Sequence, residues 1–107
     1  MRFQPVGAMI ELCILAALEN EDLYGYRLTA QVGVPLGLSE STLYPVLRRL
    51  KNEGCLEVYD RGIDGRNRRY YRLTGFGKEN LERMRNEWSI FKAQIDQIAD
   101  GGKKDES

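Results

Sequence analysis

Apolar residues run almost without interruption from Ala8 to Leu18, broken only by Glu11, which predicts a helix over residues 7–19 buried from several sides. The acidic turn Glu19 to Asp22 leads into a second, short helix from Tyr24 to about Val32, with Leu28 and Val32 as an i,i+4 apolar pair. Gly33 and Pro35 are read as its stop. Ser39 is a good N-cap, its hydroxyl available to the free backbone amides of a third helix from Glu40 to about Glu53, and Gly54 is the matching terminator. Pro45 sits inside that helix without an N–H to offer the carbonyl of Ser41, so a local kink or a tight first turn is expected there.

Beyond Gly54 the period drops to two. Leu56 and Val58 point one way and Glu57 and Tyr59 the other; Arg68 to Leu73 alternates again, and Asp60 to Asn67, with Gly62 and Gly65, closes a hairpin with a basic tip. Thr74 caps a last helix whose apolar positions, Leu81, Met84, Trp88, Phe91, Ile95 and Ile98, are spaced 3, 4, 3, 4 and 3 apart. That is a heptad seam, narrower than the stripe a helix lays on a globular core, and it calls for another helix. The order predicts an α+β, mainly α chain: a winged helix-turn-helix over residues 1–74, a long C-terminal dimerisation helix over 75–100 and a disordered tail over 101–107.

Composition narrows the function. The 107 residues suit one domain with a modest core, and 42% hydrophobic content sets the chain apart from disordered sequences. The absence of histidine removes Ser-His-Asp and Cys-His nucleophiles and His-ligated zinc, so no enzyme activity, metal or cofactor is expected. Cys13 and Cys55 lack C-x-x-C spacing and read as free thiols in a reducing compartment. The longest apolar stretch is short of the roughly 20 residues that span a bilayer, which points to a cytoplasmic protein without a membrane partner.

The net charge is zero, with 16 basic and 16 acidic residues, yet it is unevenly placed. Residues 48–72 hold eight basic residues against four acidic, a local +4, and all but one of those bases are arginine. In the winged plan this is the part that meets nucleic acid, the third helix in the major groove and the hairpin on the adjacent backbone or minor groove. Ser39, Ser41, Thr42, Tyr44, Arg48, Arg49 and Lys51 form the polar side of the third helix, opposite Leu43, Val46, Leu47 and Leu50. With Tyr24 and the wing residues Arg66, Asn67, Arg68, Arg69 and Tyr70, they are the candidate contacts to double-stranded DNA. Alternating tyrosines in a ribbon often pack on a core, a role expected of Tyr71.

The strings YGYRLTAQ (24–31), LSESTLYPVLRRLKNEG (38–54) and GRNRRYYRLTGFG (65–77) resemble hallmark segments of PadR-like transcriptional regulators, and the resemblance covers about Ile10 to Ile98. It implies a cytoplasmic homodimer of the short subfamily, mostly repressors, joined by C-terminal helices packed across a two-fold axis. It also implies that Tyr24 and Gly25 start the second helix at the DNA, that Ser41, Thr42 and Tyr44 lie at the groove, and that Arg66 to Tyr70 form the wing. Pro45 is common in the family's third helix. The segment Val32 to Leu38, with its two glycines and a proline, departs from the family pattern. In some short members an aromatic residue on the last helix stacks planar drugs or phenolics, and Trp88 and Phe91 look similar. Trp88 is equally well read as a large knob in the dimer seam.

Two functions remain in view. The first is a dimeric, ligand-responsive repressor that binds an inverted-repeat operator; the second is a winged-helix module that offers its basic wing to an acidic protein partner instead of DNA. DNA binding with steep salt dependence separates them.

Overall fold

In the computed structural model, which describes residues 7–101, the apolar run forms α1 (Gly7–Ala17) and sends Ile10, Ile14 and Leu15 into the centre of the protein. Leu23–Tyr24 is a two-residue strand, β1, followed directly by α2 (Gly25–Leu36) and then α3 (Glu40–Asn52). β2 (Leu56–Ile63) and β3 (Arg66–Leu73) make the hairpin, and α4 (Gly75–Ala99) closes the chain. Buried Leu28 and Val32 of α2, Leu43, Val46, Leu47 and Leu50 of α3, Leu56 and Tyr71 of the sheet and Leu81 of α4 join α1 in a single core. This is the winged helix-turn-helix plan with a long last helix, as the order of elements predicted.

Three local expectations are corrected. Gly33 and Pro35 do not stop α2, which continues through both to Leu36 and ends where Gly37 adopts φ +69°. There Leu38 N–H donates to the Gly33 carbonyl at 2.9 Å, a Schellman closure, and Pro35 sits in the last turn with no N–H to offer the Gln31 carbonyl. The glycine at 33 serves packing: a Cβ would stand 2.6 Å from the Leu38 carbonyl oxygen and 3.2 Å from Leu43 Cδ1. Ser39 is the N-cap of α3, but its hydroxyl bonds the hydroxyls of Ser41 at 2.8 Å and Thr42 at 3.3 Å, not the backbone amides. Tyr24 does not begin α2; it belongs to β1, opposite Tyr70.

Pro45 leaves α3 continuous. The first turn is tight, with both Thr42 N–H and Leu43 N–H directed at the Ser39 carbonyl at 3.1 and 3.2 Å. The sheet order is β1-β3-β2, antiparallel throughout. Its hairpin turn is only Asp64-Gly65, both at positive φ (53° and 76°), as a two-residue type I′ connection requires. The strands therefore run further toward the tip than the alternation of side chains suggested.

Thr74 caps α4 as expected, its Oγ1 accepting from Gly77 N–H at 2.9 Å. Gly77 lets α4 start against the body, because a Cβ there would lie 2.2 Å from the Cys55 carbonyl oxygen. Arg85 then pins α4 to the end of α1 through a two-pronged pair with Glu19 at 2.6 and 3.0 Å. From there α4 runs back along α1 as far as Phe91, which faces the start of α1, before it leaves the body, and the molecule measures 62 × 32 × 21 Å. The tail predicted over residues 101–107 falls, apart from Gly101, outside the described residues.

Candidate nucleic-acid interface

Two elements build this surface. α3 buries one side and leaves Ser39, Ser41, Thr42, Arg48, Arg49 and Lys51 exposed on the other, with Tyr44 half-buried at its edge. The hairpin stands beside it and carries Arg66, Asn67, Arg68 and Arg69. Between them runs a cleft of about 480 Å³ whose rim holds Arg48, Lys51 and Arg69 above a floor of Leu47, Val58 and Tyr71. A wider cleft of about 570 Å³ continues from Tyr44 across Tyr24 and Tyr26 to Arg66 and Arg68. Gly25 permits this junction: a Cβ there would meet the Tyr44 hydroxyl at 3.3 Å and the Tyr71 ring at 3.5 Å.

Electrostatics reinforce the geometry. Burial pushes the Tyr71 phenol above its ordinary range, with nearby Tyr44 acting the same way, while Arg69 and Arg48 pull it back. Cations from helix and wing thus converge on one cleft. Among the described residues Arg48, Lys51, Arg61, Arg66 and Arg68 take part in no ion pair, whereas Arg69 faces exposed Asp60 at 3.8 Å.

The structure brings most of the candidates together but separates two. Arg49 points away from the wing and pairs with Glu11 of α1, so it fastens α3 to the core instead of joining the cationic cleft. Tyr70 is buried, stacked on Tyr59 with ring centroids 5.6 Å apart and tilted against Tyr24 at 5.9 Å. Its ring braces neighbouring strands and is not free to contact a ligand. Tyr71 is in the core, as expected. Tyr26, 67% exposed at the mouth of the wider cleft, and Arg61 on β2 were not among the sequence candidates. Arg61 was legible in principle, since the register of the hairpin sets it opposite Arg68.

The seam on α4 also divides. Leu81 is fully buried within the chain, whereas Met84 is partly buried against the same core. Phe91, Ile95 and Ile98 are exposed, joined by Ile90, with Ile98 77% accessible. Trp88 lies between these groups, tilted against Phe91 with centroids 6.3 Å apart. It borders a mostly apolar pocket of about 230 Å³ between α1 and α4, lined also by Ala8, Met9, Leu12, Met84, Glu87 and Phe91.

The fold and its cationic face define a winged helix-turn-helix of the DNA-binding type. Residues 14–83 match the model of the transcriptional regulator PadR-like family, and the chain belongs to that family. It is 37% identical over 75 residues to the transcriptional regulator Rv3488 of Mycobacterium tuberculosis, covering 69% of this chain and 70% of that protein. The crystal structure of smu.1704 from Streptococcus mutans superposes with a TM-score of 0.86 at 37% identity, over 95% of this chain and 96% of that one. A PadR family transcription regulator from Clostridium difficile gives 0.77 at 33% identity, over 84% and 97%. The protein is therefore a transcriptional regulator and not an enzyme. Among the described residues no helix is long and apolar enough to cross a membrane.

Proposed function

We propose that the chain is one half of a homodimeric repressor that reads an inverted-repeat operator. The observation that carries this reading is the shared cleft of α3 and wing, where Arg48, Lys51 and Arg69 line one rim and no carboxylate lines the cleft. Ser41, Thr42 and Tyr44 at the start of α3 face the major groove, and Arg66, Asn67 and Arg68 hold the neighbouring backbone. Phe91, Ile95 and Ile98 supply the dimer seam, since an exposed apolar stripe of this length on a projecting helix is covered best by its own copy.

Trp88 and Phe91 line a pocket whose walls are apolar apart from Glu87, which favours a flat aromatic effector over an anionic one. Because the pocket lies where α4 leaves α1, a ligand wedged there changes how the two bodies sit on the seam. That change alters the spacing of the two α3 helices, and release of the operator follows.

Selection from randomised duplex DNA tests the reading, repeated with Arg66, Arg68 and Arg69 changed to alanine. An enriched inverted repeat that disappears in the triple variant supports it. No enrichment at low salt overturns it and favours the protein-interaction module.

A further inference from the structure

The wing has two charged faces: one borders the cleft beside α3, and the wider cleft reaches round the edge of β3 to Tyr24, Arg66 and Arg68 of the other but not to Arg61. On the first side Arg69 stands with Val58 and Tyr71 beside α3. On the other side Tyr24, Tyr70 and Tyr59 occupy paired positions and form one row across β1, β3 and β2. Toward the base the face is neutralised: Arg72 is bonded to Glu57 at 2.8 and 3.1 Å, and the Tyr59 hydroxyl donates to Asp22 at 2.6 Å. Toward the tip it is not. Arg61 and Arg68 are direct cross-strand partners, and with Arg66 they take part in no ion pair among the described residues.

The tyrosine row holds these arginines in place. The Arg68 guanidinium lies 4.4 Å from the centroid of Tyr24, and that of Arg61 lies 5.5 Å from the centroid of Tyr70. Guanidinium groups held over ring faces lose less freedom when they meet an anion, while their N–H edges remain available. Two cations side by side with no carboxylate partner repel each other, and the pair is relieved by a polyanion.

We propose that the outer face of the wing is a second phosphate-binding surface for duplex DNA, with Arg61 as its unassigned contact, so that the ribbon grips both strands bordering the minor groove. Arg69 meets the strand next to α3, and Arg61 with Arg68 meets the strand opposite. The minor groove is only about 6 Å wide, so a ribbon that enters it tip-first has a phosphate wall on each side. Tyr24, Tyr59 and Tyr70 act as positioning residues for the outer grip. The inference rests on the DNA-binding reading above.

The test is the salt dependence of binding of the full chain to a duplex carrying the selected operator. Arg61→Ala and Arg69→Ala are each expected to lower the log–log slope by about 0.9, and the double variant by about 1.8. Arg61→Lys, which keeps the charge, retains the wild-type slope. Uncharged methylphosphonates placed in one strand abolish the Arg61 effect, and in the other strand the Arg69 effect. A wild-type slope in Arg61→Ala overturns the inference and leaves the DNA reading standing, as does finding both effects on one strand. Equal losses in Arg61→Ala and Arg61→Lys overturn it in favour of a structural role. Absence of salt-dependent binding by the wild type overturns both.

Discussion

Arg49 of α3 is paired with Glu11 of α1, across the protein from the cleft that Arg48 borders. Adjacent arginines on one helix thus serve different partners, because successive residues are turned about 100° apart on an α-helix. Arg48→Ala is expected to reduce the salt slope of DNA binding by about 0.9, whereas Arg49→Ala leaves it unchanged. The Arg49 side chain is 45% exposed, so losing the pair costs at most about 1 kcal/mol of stability. Salt titration of duplex affinity and chemical denaturation together check both halves.

Gly77→Ala places a methyl group 2.2 Å from the Cys55 carbonyl oxygen, a backbone atom that cannot swing aside. Destabilisation of about 1–3 kcal/mol is expected, as for other overpacked positions. Gly75→Ala, two residues earlier in open space, is the control and should stay close to the wild type. Thermal melts of the two variants under identical conditions decide the matter.

Leu81 and Ile98 look alike in the heptad pattern and should behave differently. Leu81→Ala removes a fully buried side chain and is expected to cost about 2–5 kcal/mol in unfolding. Ile98→Asp alters a residue that is 77% exposed and is expected to leave the winged domain folded while weakening self-association. Denaturation curves report the first, sedimentation the second; a dimer of undiminished strength in Ile98→Asp would count against the seam.

Trp88 is the only tryptophan, so its emission reports the pocket directly. A planar aromatic ligand that enters between α1 and α4 should quench it in a saturable manner. Leu12→Glu on the opposite wall of the pocket should abolish that saturation. Fluorescence titration with a panel of flat dyes makes the measurement.

The hydrogen bond from Arg85 holds the Glu19 carboxyl below the usual glutamate range, with the charge of Arg85 acting in the same sense. A depressed folded-state value means that the pair supports the fold above the ordinary glutamate range and that this support fades as pH falls through the lowered value. Glu19→Gln should therefore lower the neutral plateau slightly and flatten the acid limb of the stability profile, the variant and wild type converging in acid. Unfolding midpoints measured across the acid range test this.

Much of the fold was legible because hydrophobic period and capping agreed. The buried stripe of α3, the Thr74 cap and the Gly54 terminator each follow from local chemistry. What escaped was set by contacts distant in sequence. Gly33 reads as a breaker unless one knows that the Leu38 carbonyl approaches it, and Tyr24 reads as a helix start unless β3 is there to pair with it. The candidate interface was recovered in outline from charge and motif order. The exceptions, Arg49, Tyr70 and Arg61, depended on which face each side chain shares with a partner on another element.

The close approach of Gly33 to the Leu38 carbonyl makes the joint between α2 and α3 a contact of backbone on backbone. Such a joint has no rotamer to change, no proton to lose and no sulfur to oxidise. Acidity and oxidants therefore have nothing to act on at that contact. In the proposed dimer, a signal that adjusts the two α3 helices acts by moving each winged body as a whole, like a hand turned at the wrist and not at the fingers.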